Sequence, residues 1–216
     1  MKFGVLGTGM VGETIGAKLV ERGHEVKIGS RSATNEKAIA WASKAGKGAS
    51  VGTFADAAEF GEVVFVCTKG EATVDVVTGA ADKLAGKVVI DVTNPLDFSK
   101  GFPPSLFISN TDSLGEHVQR AAPKARVVKS LNTMTCVVMV DATAVKGDHT
   151  VFVSGNDADA KATVSRVLAE NFGWKPSNVI DLGDITTARG AEMILPLWVR
   201  LYGVMKSPMF NFSVVK

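Results

Sequence analysis

Two spacings of apolar residues alternate along this chain. Short apolar runs fall near residues 2–6, 25–29, 49–51, 63–67, 87–91, 126–129, 150–154 and 179–182, and each predicts a strand. Between them, apolar positions recur every three or four residues. In the first such stretch, 10–22, Val11, Ile15 and Leu19 share one face, Glu13, Lys18 and Glu21 take the other, and Gly23 stops the pattern. The same spacing predicts helices near 36–45, 55–60, 72–84, 113–122, 157–172 and 187–205, the last bent by Pro196. Ser113 and Glu116 read as a capping box, and Asn156 or Asp157 as a helix cap. Residues 93–112, with Pro95, Pro103 and Pro104, read as a long loop. Strand and helix in alternation argue for a parallel sheet, and the wholly apolar run at 63–67 suits its centre. The expected class is α/β: a Rossmann-like, doubly wound, mostly parallel sheet, extended by C-terminal strands and covered by a C-terminal helix.

Composition narrows this picture. A 46% hydrophobic content over 216 residues supplies one core. The formal net charge of +2 gives no reason to expect nucleic acid or an acidic membrane as partner. Cys67 and Cys136 make neither a disulfide framework nor a metal motif, and no metal ligand set is expected. The apolar stretch 193–205 is interrupted by Arg200 and preceded by Glu192, too short and polar for a membrane span. The chain opens on its first strand, so no signal peptide is expected, and a soluble cytoplasmic protein is.

The most informative residues follow the first strand. Gly7-Thr8-Gly9-Met10-Val11-Gly12 has the spacing of a dinucleotide fingerprint, placed after a strand and opening a helix. Gly7 allows the tight turn, Gly9 lets a pyrophosphate approach the backbone, and Gly12 lets helix and strand pack closely. The end of the second strand then selects the dinucleotide. Gly29-Ser30-Arg31-Ser32-Ala33-Thr34-Asn35 carries no acid until Glu36, where an NAD site usually places one for the ribose. Arg31 can pair with a 2′-phosphate, with Ser30, Ser32 and Thr34 as hydroxyl partners and Lys37 adding charge, so NADP(H) is the expected cofactor. The same stretch also reads as a solvated loop with a cap at Thr34 or Asn35. One domain is expected over 1–216, with 1–135 as dinucleotide-binding core and 136–216 as an extension of the same sheet.

A doubly wound sheet holds its ligand at the carboxyl ends of its strands. The candidates for the nicotinamide end are therefore Thr68-Lys69-Gly70, Thr93-Asn94-Pro95-Leu96 and Leu131-Asn132-Thr133-Met134. They offer hydroxyls, amides and one ammonium, but no carboxylate base. Asp91 can orient Thr93 or Asn94, or serve a cap or ion pair. His24, His117 and His149 read as solvated histidines, and no catalytic residue is assigned. Hydride transfer between a nicotinamide and a second ring needs positioning more than proton chemistry.

The ordered set of Gly7–Gly12, Gly29-Ser30-Arg31, residues 91–96, Ser113-Leu-Gly-Glu116 through Pro123, residues 127–133, residues 153–157, and Asp181 to Glu192 resembles the NADPH-dependent oxidoreductases of the deazaflavin coenzyme F420. That resemblance implies NADP(H) over the glycine loop, held by Thr8, Met10, Val11, Ser30 and Arg31. It also implies a deazaflavin beside the loops at Asn94–Leu96 and Asn132–Met134. Two alternatives stay open: an NADPH-dependent flavin, ferric or quinone reductase, and a non-catalytic NADP(H)-binding regulator. The last helix carries Ile194, Leu195, Leu197, Trp198, Leu201, Tyr202 and Met205 on more than one face, which predicts a homodimer interface or a helix buried in its own domain.

Overall fold

Strand and helix alternate in the computed structural model, which describes residues 1–215. The chain runs β1 (Lys2–Leu6), α1 (Met10–Glu21), β2 (Glu25–Ser30), α2 (Glu36–Ala45), β3 (Ala49–Thr53), α3 (Phe54–Phe60), β4 (Val63–Val66), α4 (Gly70–Leu84) and β5 (Val88–Asp91). A small hairpin of β6 (Leu96–Asp97) and β7 (Ser105–Leu106) follows. Then come α5 (Leu114–Ala121), β8 (Arg126–Ser130), α6 (Cys136–Val140), β9 (Val151–Gly155), α7 (Ala158–Phe172), β10 (Val179–Gly183), α8 (Ala188–Met193) and α9 (Leu195–Met205).

Eight strands form one sheet in the order β10-β9-β8-β5-β4-β1-β2-β3. β8 and β9 are antiparallel, and every other neighbouring pair is parallel. The chain winds outward from β1 to β3, then returns to lay β4 against the other side of β1. The strand order reverses there, so the crevice for a ligand opens beyond the carboxyl ends of β1 and β4. Both faces of the sheet are covered. Phe3, Val5, Phe65, Ile90 and Val128 pack to one side with Ile15, Leu19 and Val164. Leu6, Val64, Val66, Val89 and Val127 pack to the other with Val77, Leu84 and Val118. Alternate side chains of each strand enter opposite layers, which is why these strands read as unbroken apolar runs.

The structure corrects the sequence reading in several places. The helix expected over 187–205 is interrupted for one residue at Ile194, which keeps helical dihedrals (φ −67°, ψ −26°), so α8 and α9 meet where Pro196 predicts a bend. Pro196 has no N–H for the Glu192 carbonyl, and its ring crowds that carbonyl. The loop at 93–112 contains the β6–β7 hairpin. The capping box is incomplete. Ser113 Oγ accepts the Glu116 amide at 3.1 Å, but the Ser113 amide donates to Asp112. The Glu116 carboxylate turns instead to the Ser113 hydroxyl and the Arg189 guanidinium, a stronger partner than a neutral amide. A short helix, α6, forms at Cys136–Val140 although three of its five residues are β-branched valines. His149 is not solvated. It is buried edge-on against Trp174, and bonds the Ala142 carbonyl at 2.8 Å and Asn211. Among the described residues no helix is long and apolar enough to cross a membrane.

Candidate functional site

The turn after β1 shows how the three glycines divide their work. Gly7 sits at φ +128°, a conformation that side chains rarely adopt, and its amide donates to the Gly29 carbonyl at 3.0 Å. A Cβ on Gly12 would overlap the Gly7 carbonyl oxygen, so α1 leaves the strand at close range. Gly9 differs from both. Its φ is −85°, and a Cβ there would meet no atom of the protein within 4 Å. Nothing in the fold requires a glycine at 9; the space beside it is open. Gly9 is also the N-cap of α1, and no side chain caps that helix. The amides of its first turn therefore face outward with the positive end of the helix dipole, a geometry suited to a phosphate.

Parallel pairing sets Leu6 beside Gly29, so Ser30 and Arg31 emerge next to the glycine turn. Ser30 is buried and committed to that turn: its Oγ donates to the Ser32 carbonyl at 2.6 Å and accepts the Ser32 amide. Ser32 Oγ and Thr34 Oγ1 share a bond of 2.8 Å at the surface, and Asn35, not Thr34, caps α2. Arg31 is exposed, and among the described residues it has no ion-pair partner. No carboxylate stands between Gly29 and Asn35.

A cleft of about 580 Å³ lies beyond β1, β4 and β5, lined by Val11, residues 67–71, Val92–Asn94 and the hairpin residues 96–99. It brings together seven of the expected residues: Val11, Thr68, Lys69, Gly70, Thr93, Asn94 and Leu96. Thr8, Gly9 and Met10 line a neighbouring groove between α1, α2 and α6, with Lys37 and Trp41. Pro95 and Asn132 are buried behind the cleft wall. The Pro95 carbonyl accepts the Phe107 amide, which ties down the hairpin. Asn132 and Asn94 are bonded reciprocally, each side-chain amide donating at 2.9 Å, and Asn132 also reaches the Ala191 carbonyl in α8. Leu131, at φ +63°, makes the turn that delivers Asn132.

Beneath this wall lies a charged cluster that the sequence reading did not assemble. Lys129 Nζ is 2.9 Å from Asp91 Oδ2 and 2.8 Å from Glu192 Oε1, with all three side chains closed to solvent. Asp91 Oδ1 accepts the Thr93 amide at 2.9 Å and the Thr93 hydroxyl at 2.6 Å. Asp91 thus fills both roles open to it, orienting Thr93 and pairing with a cation. Burial opposes the charge on Lys129, but the two carboxylates outweigh it and raise its pKa. Burial, aided by Asp91, pushes the Cys67 thiol far above its usual range, so this cleft residue stays protonated. The sequence signal for the cluster is slight: Lys129 follows Val127 and Val128 in a strand that also holds Arg126 and Ser130. Among the described residues no group of three or more His, Cys, Asp or Glu is placed to hold a metal.

A family model for coenzyme F420-dependent NADP oxidoreductases matches residues 2–95. Over 217 residues the chain is 31% identical to the F420-dependent NADP reductase of Methanothermobacter marburgensis, covering 93% of this chain and 92% of that one. It is 30% identical over 201 residues to the rat metalloreductase STEAP3, covering 91% of this chain but only 38% of that protein. A crystal structure of a provisionally assigned F420-dependent NADP reductase from Arthrobacter sp. FB24 superimposes with a TM-score of 0.93 at 47% identity, over 100% of both chains.

Proposed function

The chain belongs to the F420-dependent NADP reductase family, and we propose that it passes a hydride between NADP(H) and the deazaflavin coenzyme F420 in the cleft beyond β1, β4 and β5. One juxtaposition carries this reading. An open glycine at the start of α1 stands one strand from an acid-free Ser30–Arg31 turn, which suits a pyrophosphate and a 2′-phosphate together. When both coenzymes are bound, they supply the hydride exchange between nicotinamide and deazaflavin.

The protein's part is to bind and align. The first-turn amides of α1 receive the pyrophosphate, beside Thr8, Met10 and Val11. Arg31 pairs with the 2′-phosphate, with the Ser32 and Thr34 hydroxyls alongside, while Ser30 holds the turn that presents them. Thr68, Lys69 and Asn94 border the nicotinamide, backed by Pro95 and Asn132. No side chain is assigned as acid or base, since the hydride itself needs alignment only. We read residues 1–135 as the dinucleotide core and 136–216 as its extension within one domain. A homodimer joined through α9 and a cytoplasmic location complete the proposal. Leu197, Tyr202, Val204 and Met205 leave apolar surface on α9, and the two free buried cysteines fit a reducing compartment.

A second reading, hydride delivery to a flavin that reduces iron, draws on the likeness to the metalloreductase. An acceptor panel separates the two. NADPH absorbance should fall with F420 and stay level with flavin plus a ferric chelate, or with a quinone. Turnover only with flavin and iron would favour the second reading, and binding without turnover on any acceptor would point to a regulator.

A further inference from the structure

The Asp91–Lys129–Glu192 cluster is a costly arrangement with a specific geometry. Three ionisable groups are held out of water, where a charge is costly unless it is paired. Well-packed apolar side chains commonly fill such a space with equal or greater stability. The cluster also carries one more negative charge than positive. The start of α5 offsets that excess: Glu192 Oε2 accepts the Leu114 amide at 2.8 Å, and Oε1 the Gly115 amide at 2.9 Å. Glu192 therefore caps one helix from another, while Asp91 grips Thr93.

The same three segments are joined again one layer nearer the cleft. Asn94 follows Thr93, Asn132 follows Lys129 by three residues, and Ala191 precedes Glu192; these are the members of the amide network. Two stacked layers, one ionic and one of amides, thus lock the loop after β5, the loop after β8 and helix α8 into one register. The cleft wall at Val92–Asn94 is the part of this unit that faces the ligand space. The glycine turn and the Ser30–Arg31 turn make no bond to it.

We propose that Lys129 is a positioning residue for the nicotinamide end of NADP(H). It acts through Asp91 and Glu192 to fix Thr93 and Asn94 against α8, and it takes no part in holding the adenosine end. This rests on the NADP(H) reading above.

The test compares two ligands. NADPH probes both ends of the site, and 2′,5′-ADP probes the adenosine end alone. Lys129→Met by itself leaves two buried carboxylates facing each other and should lower Tm sharply. Asp91→Asn/Lys129→Met removes that repulsion and keeps an oxygen for both Thr93 donors, so most of the lost Tm should return. In this double variant 2′,5′-ADP should bind within about twofold of wild type, since charge-assisted phosphate contacts carry that end. NADPH should lose the fluorescence enhancement of a fixed nicotinamide, and hydride transfer should slow about a hundredfold, the cost of a misplaced reacting group. A double variant that recovers Tm together with wild-type nicotinamide fluorescence and transfer rate would overturn the proposal and leave Lys129 a structural residue. Equal losses for NADPH and 2′,5′-ADP would also overturn it, by showing that both ends depend on the cluster. A wild type that binds 2′,5′-ADP no better than 5′-AMP would remove the NADP(H) reading itself, and this inference with it.

Discussion

The two ends of the proposed dinucleotide site are built in different ways. The pyrophosphate end is a stretch of backbone: a positive-φ glycine, an open glycine and the uncapped start of α1, all within six residues of β1. The nicotinamide end is a set of side chains from β5, β8 and α8, bonded across as many as 63 positions of sequence, from Lys129 to Glu192. The first recognises charge through fixed amides and tolerates no side chain in its path. The second fixes a loop through a buried network, where each member depends on the others. A substitution at the open glycine of the first end, Gly9, should therefore remove affinity with little effect on the fold. Substitutions at the second should trade stability against alignment.

The largest effect is expected at Gly9. Gly9→Ala should weaken NADPH binding by about a hundredfold, because charge-assisted bonds to the pyrophosphate are lost. Tm should change little, since an added Cβ meets no protein atom within 4 Å. A fall in Tm with intact NADPH affinity, read by calorimetry, would reverse the assignment of this end. Arg31→Ala should come next. It should cost NADPH about 1.5–3 kcal/mol, roughly tenfold to a hundredfold in Kd, and leave NADH nearly unchanged. Equal losses for both dinucleotides would show that Arg31 does not read the 2′-phosphate.

The same contrast explains how much was legible in the sequence. The glycine turn and the Ser30–Arg31 turn are contiguous, and each residue type there has a local backbone reason, so strand, turn and helix could be placed within a residue or two. The apolar periodicity likewise gave the order of strands and helices through β5. Asp91 reads locally as an orienting or pairing residue, but its partners Lys129 and Glu192 do not, because what identifies the cluster is a meeting in space. The same holds for Glu116: its spacing from Ser113 predicts a capping box, but a guanidinium 73 residues away competes for the carboxylate. Pro196 predicts the bend at which α8 gives way to α9. Asn132 was picked as a cleft residue, yet it stands behind Asn94, a distinction that only the fold makes.

Away from both ends, α9 offers a test of the dimer. Leu197→Glu changes a side chain that is 54% exposed, so the fold should survive, while sedimentation should shift from dimer to monomer. A wild type that already sediments as a monomer at micromolar concentration would rule the interface out. The smallest effect is expected where α8 meets α5. Hydrogen bonding from Arg189, working against burial and aided by Ser113, holds the Glu116 carboxyl below the usual glutamate range. A depressed carboxylate pKa stabilises the fold above the ordinary glutamate value, and that contribution is lost as pH falls through the folded value. Glu116→Gln should therefore lower Tm by a few degrees at neutral pH, and the gap from wild type should close as the pH drops below about 4. A gap that is constant with pH would mean that the charge of Glu116 contributes nothing.

The most direct measurement follows the hydride. NADPH carrying deuterium at the transferring position of its nicotinamide is mixed with F420 and the enzyme in ordinary water, and the reduced deazaflavin is analysed by mass spectrometry. If the two rings are aligned in one cleft, the deuterium should appear on the deazaflavin without dilution by solvent hydrogen. Reduced F420 that carries only solvent hydrogen, or F420 that stays oxidised while flavin and iron consume NADPH, would contradict the account.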